Sequence, residues 1–175
     1  MRPSNGRSSV VLADGRPEDL LTAHAHPGLL HIAVSVQLVS SSGSWLLQRR
    51  SRSKRAFAGR WANSCCTHPE PAEAALAAAQ RRLDEELGLN NVALVGAGSF
   101  TYRAADPASG LVEHECDHVF VGFTDVEARA NPEEIDELWR GPFVEAMARV
   151  SGEQGAPWAR RVLELSQARV QAMRP

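Results

Sequence analysis

The strongest secondary-structure signal in this chain is a single helix, predicted over Ala72–Leu87. The segment is rich in Ala, Leu, Glu, Gln and Arg, which are all good helix formers. Leu76, Ala79 and Leu83 follow one face of it, and Gly88 supplies a C-terminal stop. The helix is therefore predicted to bury one face and to end at Gly88.

Strand patterns precede and follow this helix along the chain. His31–Ser40 alternates apolar residues with others, and Ser44–Arg49 is its predicted hairpin partner. Strands interleaved with few helices predict a mixed α/β domain of the α+β type. The remaining predictions are strands over Asn91–Tyr102, Leu111–Thr124 and Ile135–Trp139, and helices over Pro17–Ala25, Pro142–Val150 and Pro157–Met173.

The length of 175 residues predicts one domain, over residues 10–175, after a flexible polar segment of residues 1–9. The net charge of −2 gives no attraction to nucleic acid or anionic lipid, and no apolar run is long enough for a transmembrane helix. The N-terminus lacks the apolar core of a signal peptide. Two of the three cysteines are adjacent, which excludes a disulfide framework and favours reduced thiols. We therefore expect a cytoplasmic monomer that binds neither nucleic acid nor membranes.

The clearest chemical signal is the segment Trp61–Glu70, WANSCCTHPE. If the segment is extended as far as His68, Cys66 and His68 share one face because side chains alternate in a strand. A thiol beside a histidine favours chemistry. The structural alternative is a buried strand end in which Cys66 serves as a small hydrophobic residue. Both interpretations stay open on these residues alone.

Carboxylates follow one face of the predicted strand Leu111–Thr124. Glu113, Glu115 and Asp117 share that face by the period of two. Neighbouring carboxylates repel each other, so either they lie in water on an exposed edge strand or a cation sits between them. The apolar tail Val119–Val121 argues against exposure. The opposite face carries His114, Cys116 and His118.

Three histidines, His24, His31 and His68, fall at the ends of predicted elements. Three imidazoles with two carboxylates would suit a borderline divalent ion such as Mn²⁺ or Zn²⁺. No compact HxxxH spacing is present, and each histidine alone is compatible with a structural role. For His26, His114 and His118 we prefer that structural role.

Two charged segments flank this chemistry. The basic loop Arg50–Arg60 contains Arg50 and Lys54 and would suit a phosphate or diphosphate, since arginine pairs well with phosphate oxygens. The alternative is an ordinary solvated loop. Near the end of the helix, Glu85 and Glu86 oppose the helix dipole, which favours a functional role for at least one of them.

The run Asn63–Pro69, NSCCTHP, resembles the NSxCxHP signature of the type I isopentenyl-diphosphate Δ-isomerases, which have the Nudix fold. The flanking motifs RR, SK and GxW within 49–61 agree with that family, as do YRA at 102–104 and SGLVEHE at 109–115. The resemblance extends from His24 to Trp158, with several motifs in the same order and spacing. It implies a Nudix-like mixed β-sheet sandwiched between helices.

The predicted helix resembles a degenerate Nudix box. Thr67 stands in place of the opening glycine, and Arg82 in place of a glutamate that Nudix hydrolases use to help hold Mg²⁺. The second change disfavours diphosphate hydrolysis. Leu20 also departs from the isomerase pattern, which usually has a lysine four residues before the first metal-binding histidine, so one diphosphate contact is expected to be missing or replaced.

The resemblance implies isomerisation of isopentenyl diphosphate to dimethylallyl diphosphate through a tertiary carbocation. Cys66 and Glu115 are the implied acid–base pair, with the hydroxyl of catalytic Tyr102 near Glu115. The resemblance also implies that one divalent ion (Zn²⁺, Mn²⁺ or Mg²⁺) is bound by His24, His31, His68, Glu113 and Glu115. Glu86 is expected to bind a second, substrate-linked Mg²⁺, and Arg50, Lys54 and Arg82 are expected to bind the diphosphate. The hydrocarbon is expected to contact Tyr102 and Trp158.

Three alternatives accompany this hypothesis. The first is a Nudix-type hydrolase of a nucleoside or prenyl diphosphate, and the second is a non-catalytic module that binds a prenyl diphosphate or a metal. The third is an isomerase-like enzyme that acts on a modified prenyl diphosphate, which the departure at Leu20 suggests.

Overall fold

The computed structural model describes residues 9–173. Most of the flexible segment predicted over 1–9 lies outside the described residues, and Ser9 is the first residue of strand β1. The strands are β1 (Ser9–Val11), β2 (Pro17–Asp19), β3 (His31–Val39), β4 (Trp45–Arg50), β5 (Trp61–Ala62), β6 (Cys65–Thr67), β7 (Leu94–Ala105), β8 (Val112–Phe123) and β9 (Ile135–Gly141). The helices are α1 (Leu20–His24), α2 (Ala75–Leu87), α3 (Phe143–Val150) and α4 (Ala159–Ala172).

A mixed seven-stranded sheet, β3 to β9, forms the centre of the molecule, and β1 and β2 form a separate two-stranded sheet. Strand β8 is parallel to β3 and antiparallel to β7. Helix α2 packs against one face of the large sheet, and α3 and α4 pack against the other. The predicted mixed sheet sandwiched between helices is therefore confirmed.

Alternation along the strands divides the apolar residues between the two cores. On β3, Val34, Val36 and Leu38 pack with α2, whereas Val39 packs with α3 and α4. Strand β8 lies between β3 and β7, with both edges paired. The interpretation of its carboxylates as an exposed edge strand is therefore wrong.

Strands β3 and β4 pair only beside their hairpin turn, at Leu38–Leu46 and Val39–Trp45. Beyond those pairs each strand takes a new neighbour: β6 pairs with β3, and β5 pairs with β4. The segment that contains Cys66 thus runs into the gap between two separating strands. This gap is the origin of the cavity described below.

The boundaries of several elements differ by a few residues from their predictions, and the differences at α2 and at Pro17–Asp19 have a clear physical reason. Helix α2 begins at Ala75 and not at Ala72, because Ala72 has a φ of 67°, outside the helical region. The helix ends at Leu87, and Gly88 follows it in the left-handed conformation, so the predicted stop at Gly88 is confirmed. The N–H of Gly88 donates to the carbonyl of Asp84 at 2.9 Å. Residues Pro17–Asp19, predicted as helix, pair with β1 instead.

No helix among residues 9–173 is long and apolar enough to span a membrane.

Candidate active site

A cavity of about 170 Å³ opens on the α4 side of the sheet, beside β6 and β8. Many of the predicted site residues line it: His24, Arg50, Lys54, Cys66, His68, Arg82, Tyr102, Glu113, Glu115 and Trp158. Two others, His31 and Glu86, are buried behind the lining residues. Sequence positions that lie far apart therefore meet in one place.

The register of the sheet explains how the central residues meet. Glu115 on β8 lies opposite His31 on β3 and opposite Tyr102 on β7. Cys66 on β6 pairs with Ser35, further along β3. One row across three strands thus carries an imidazole, a carboxylate and a phenol.

His24, His31, His68, Glu113 and Glu115 form a compact cluster, in which one ligand atom from each residue lies within 4.8 Å of all the others. His24 Nε2 lies 2.9 Å from Oε2 of Glu113, and His68 Nε2 lies 2.8 Å from Oε1 of Glu115. His31 Nε2 lies 3.2 Å from His68 Nε2. Such a donor set could hold a divalent metal ion.

Backbone hydrogen bonds favour metal binding at this cluster, because they determine which nitrogen of each imidazole faces it. Nδ1 of His24 donates to the carbonyl of Leu20 at 2.7 Å, and Nδ1 of His31 donates to the carbonyl of Leu29 at 2.8 Å. A carbonyl only accepts hydrogen bonds, so each neutral ring presents its Nε2 lone pair to the cluster. When both rings are neutral, lone pairs and carboxylate oxygens face one another, and a bound cation would stabilise that arrangement.

Burial and neighbouring charges set the protonation states in the cluster. Burial acts to raise the pKa of Glu115, but the adjacent imidazoles of His31 and His68 hold it well below its usual value. Burial lowers the pKa of His68. Burial also acts to lower the pKa of His24, but the hydrogen bond and the charge of Glu113 raise it above its usual value.

Cys66 faces the cavity with a protonated thiol. Burial raises the pKa of Cys66 to about 12, although the Arg50 guanidinium opposes that rise. Nη1 of Arg50 donates to the sulfur at 3.8 Å, while Nε and Nη2 bond the loop carbonyls of Phe57 and Ala56. The neighbouring Cys65 is buried in the other core, against α2. The two adjacent thiols therefore lie on opposite faces of the sheet.

Aromatic rings form the apolar wall of the cavity. Trp158 is buried, and its indole N–H donates to Oδ1 of Asn63 at 3.1 Å. Its ring lies 5.9 Å from that of Tyr102 and 5.6 Å from that of Phe57, measured between centroids. The guanidinium carbon of Arg50 lies 5.1 Å from the centroid of Trp158. The indole face is thus fixed beside the thiol and the phenol.

A second charged group lies at another part of the cavity: Lys54, Arg82 and Glu134 line the wall, and Glu86 lies behind it. Nη2 of Arg82 donates to Oε2 of Glu134 at 2.7 Å and also pairs with Glu86. Nζ of Lys54 lies 3.7 Å from Oε1 of Glu86 and pairs with Glu134 as well. Burial acts to raise the pKa of Glu134, but Arg82 and Lys54 lower it below its usual value.

Comparison with solved structures shows the Nudix fold. A MutT protein from Methanosarcina mazei matches with a TM-score of 0.65 and 20% identity, over 81% of this chain and 96% of that one. A MutT Nudix hydrolase from Burkholderia pseudomallei matches with a TM-score of 0.56 and 23% identity, over 78% and 97% of the two chains. The NUDIX domain model matches residues 29–164.

Among related sequences, an isopentenyl-diphosphate Delta-isomerase of Nocardia farcinica is 46% identical over 149 residues, which are 83% of this chain and 84% of the relative. One from Streptomyces griseus is 43% identical over 164 residues, or 89% and 82% of the two chains. The chain belongs to the isopentenyl-diphosphate Delta-isomerase family of Nudix proteins. The resemblance drawn from the NSCCTHP motif is confirmed.

For this member of the Nudix isomerase family, the residues predicted from the sequence did not include Glu134, an acidic residue of the cavity wall. It follows Glu133 in a turn before β9, and nothing in the sequence distinguishes the two acids. The predicted site residues also did not include Asn63, which bonds the indole of Trp158, and Gln48, whose amide donates to Oε2 of Glu86 at 2.8 Å. The family uses divalent metals, and the histidine–glutamate cluster could bind one.

Proposed function

We propose that this protein isomerises isopentenyl diphosphate to dimethylallyl diphosphate, with Cys66 and Glu115 as its two proton-transfer groups. The activity follows from the isomerase relatives, which cover most of the chain. The roles of the residues rest on one observation: Cys66 and Glu115 line the same cavity, the thiol protonated and the carboxylate ionised.

The reaction needs one proton added to C4 of the alkene and one removed from C2. A pair in which one member holds a proton and the other does not can begin such a hydrogen shift. An unactivated alkene is a very weak base, and water would trap the tertiary carbocation. The cavity therefore has to exclude water at the reacting carbons, and the rings of Tyr102 and Trp158 provide apolar walls there.

Trp158 is proposed to stabilise the carbocation. A cation over an indole face gains roughly 2 kcal/mol when both are desolvated. The ring is 4% exposed and is held in place by Asn63, so it needs little rearrangement to face the cation.

The metal cluster is proposed to act through Glu115. His24, His31, His68, Glu113 and Glu115 would hold one divalent ion, with Zn²⁺, Mn²⁺ and Mg²⁺ as candidates. When bound, the ion supplies positive charge that controls the protonation of Glu115. Tyr102, which donates to the other oxygen of that carboxylate at 2.6 Å, holds it in position toward the substrate.

Arg50, Lys54 and Arg82 are proposed to bind the diphosphate, and Glu86 a Mg²⁺ ion that arrives with it. The cations line the cavity on the walls near Cys66, so the diphosphate would place the alkene between the two proton-transfer groups. Because the residue at 82 is arginine, the site lacks one carboxylate that Nudix hydrolases employ, and hydrolysis is disfavoured. We propose further that the protein acts as a monomer in the cytoplasm on this free small-molecule substrate.

Incubation with isopentenyl diphosphate and Mg²⁺ in heavy water, followed by NMR, tests the proposal. We expect dimethylallyl diphosphate with deuterium incorporated into the prenyl chain. Release of phosphate or of prenyl monophosphate would identify a hydrolase. Binding of the substrate without deuterium uptake would identify a non-catalytic module. Faster turnover of a modified prenyl diphosphate than of isopentenyl diphosphate would identify an isomerase-like enzyme for that modified substrate.

A further inference from the structure

Lys54, Arg82, Glu86 and Glu134 form a closed ring of alternating charges, here called the charge ring. Each cation contacts both carboxylates, and each carboxylate contacts both cations. The ring is removed from solvent, since the side chains of Glu86 and Glu134 are each 2% exposed. Its formal charges cancel without any ligand.

Most of the donors of Arg82 already have acceptors in this arrangement, and both N–H groups of Nη2 point to carboxylates of the charge ring. Nη2 contacts Glu86 and Glu134, Nη1 donates to Glu85 at 3.2 Å, and Nε donates to the carbonyl of Cys66 at 3.4 Å. A diphosphate that binds Nη2 of Arg82 therefore has to displace a carboxylate. It also has to approach two buried negative charges.

The two carboxylates of the charge ring are not equivalent. Glu86 is held through its second oxygen by the amide of Gln48 and stands at the position proposed for the substrate-linked Mg²⁺. Glu134 lines the cavity itself. Its backbone also anchors the basic loop, because Ser51 N–H donates to the Glu134 carbonyl at 2.9 Å.

We propose that Glu134 is a specificity-determining residue that makes the site select Mg²⁺-complexed diphosphate over metal-free diphosphate. This inference rests on the proposed function and extends it to a residue outside the proposed machinery. Metal-free diphosphate meets cations that are already neutralised. A Mg²⁺ ion that arrives with the diphosphate draws Glu86 away from Lys54 and Arg82, which frees donors for the phosphate oxygens.

The physical consequence is a coupling between the two ligands. Glu134 keeps one negative charge beside both cations at all times, so the diphosphate gains little unless Mg²⁺ offsets part of its own charge. By linkage, the factor by which Mg²⁺ improves diphosphate binding equals the factor by which diphosphate improves Mg²⁺ binding. Neutralising Glu134 should reduce that factor.

Isothermal titration calorimetry with inorganic diphosphate measures this coupling. Binding is measured with excess Mg²⁺ and in buffer cleared of Mg²⁺ by a chelating resin, with protein metal content determined before and after. In Glu134→Gln we expect metal-free diphosphate to bind about tenfold tighter or more, from the removal of a buried unit charge a few ångströms from two cations. Because Mg²⁺-diphosphate carries less charge, its affinity should change less, and the ratio of the two affinities should fall.

Two variants sharpen the test. Glu85→Gln removes the same charge from a half-exposed carboxylate that contacts Arg82 outside the cavity, and it should leave the ratio unchanged because solvent screens that pair. Glu134→Asp keeps the buried charge but withdraws it by one methylene group. If Glu134→Gln does not fold, Glu134→Asp should still do so, because it keeps the charge that pairs with Lys54 and Arg82. Its ratio of affinities for Mg²⁺-diphosphate and metal-free diphosphate should lie between those of Glu134→Gln and the wild type.

An unchanged ratio in both Glu134 variants would overturn the inference. A ratio that falls because Mg²⁺-diphosphate binds more weakly, with metal-free diphosphate unaffected, would also overturn it and would make Glu134 a metal ligand. Isomerase turnover of the wild type, measured in parallel, distinguishes failure of this inference from failure of the proposed function. If the wild type turns over normally and the ratio does not move, only this inference fails; if the wild type neither turns over nor binds diphosphate, the proposed function fails with it.

Discussion

Tyr102 and Glu115 lie directly opposite each other on neighbouring strands, and the Tyr102 hydroxyl donates a 2.6 Å hydrogen bond to Oε2 of Glu115. The other oxygen of the same carboxylate faces the imidazoles of His31 and His68. Glu115 is thus held on one side by a phenol that lines the cavity and on the other by the metal cluster. Its two oxygens have separate surroundings, and each can be perturbed without removing the other.

Replacing Tyr102 by Phe removes one of these two constraints. A hydrogen bond to a charged group contributes about 1.5–3 kcal/mol, so we expect kcat to fall about 10- to 100-fold with little change in KM. The measurement is steady-state isomerisation of isopentenyl diphosphate. Thr101→Val, one residue earlier on the opposite face of β7, is the matched control and should keep its kcat. Equal losses in both variants would contradict the role of the hydroxyl.

Cys66 and Cys65 provide a matched pair within one strand. Cys66→Ala should reduce turnover about 10²- to 10⁴-fold, the range for loss of a general acid or base, while the metal content stays unchanged. Cys65→Ala should keep its turnover and lose about 1 kcal/mol of stability, because that thiol is buried against α2 and does not line the cavity. Turnover and urea unfolding of both variants check this. Near-normal turnover in Cys66→Ala would refute the assignment.

Local patterns allowed much of the fold and the site to be predicted. Alternation alone placed Glu113, Glu115 and Asp117 on one face, and all three are buried on the α4 side of β8. Residue propensities and Gly88 located α2 to within three residues at its start. The meeting of distant residues, such as His24 with Glu113, came from the family resemblance, because no local spacing relates residues 89 positions apart.

What could not be predicted depends on long-range pairing. The separation of β3 from β4, which lets β6 enter and creates the cavity, has no local signature in either strand. Glu134 belongs to the charge ring because the turn before β9 is held against the basic loop, and its neighbour Glu133 is exposed. Acid residues in turns are commonly solvated, so composition gave no reason to choose one of them.

Binding of a divalent ion should stabilise the protein measurably. Among the described residues the cluster gathers five ligand atoms in a buried site, and an ion at 100 times its Kd adds about 2.7 kcal/mol. We expect the Tm to rise by about 5–10 °C when Zn²⁺ or Mn²⁺ is added to metal-free protein. Differential scanning fluorimetry measures this shift.

The histidines of β3 and β8 supply the variants for that measurement. His31→Asn removes a buried nitrogen of the cluster and should abolish most of the metal-induced shift. His118→Asn lies on the opposite face of β8 and should retain it. A shift that survives in His31→Asn and disappears in His118→Asn would place the ion on the other side of the sheet.

Asp117 predicts how stability depends on pH in the metal-free protein. Its Oδ2 accepts from the hydroxyl of Ser35 at 2.7 Å, whereas its Oδ1 has no hydrogen-bond partner among the described residues. Burial, together with the charge of Glu115, raises the pKa of Asp117 from 3.8 to about 8. Between these values the unfolded chain releases a proton that the folded protein keeps, so the contribution of Asp117 to stability declines as pH rises.

Asp117→Asn removes this pH dependence of stability. The free energy of unfolding of the variant, relative to that of the wild type, should therefore increase from about pH 4 to about pH 8 and then level off. Urea denaturation at each pH measures this difference. A difference that stays constant over that range would contradict a protonated Asp117, and one that shrinks would reverse the sign of its pKa shift.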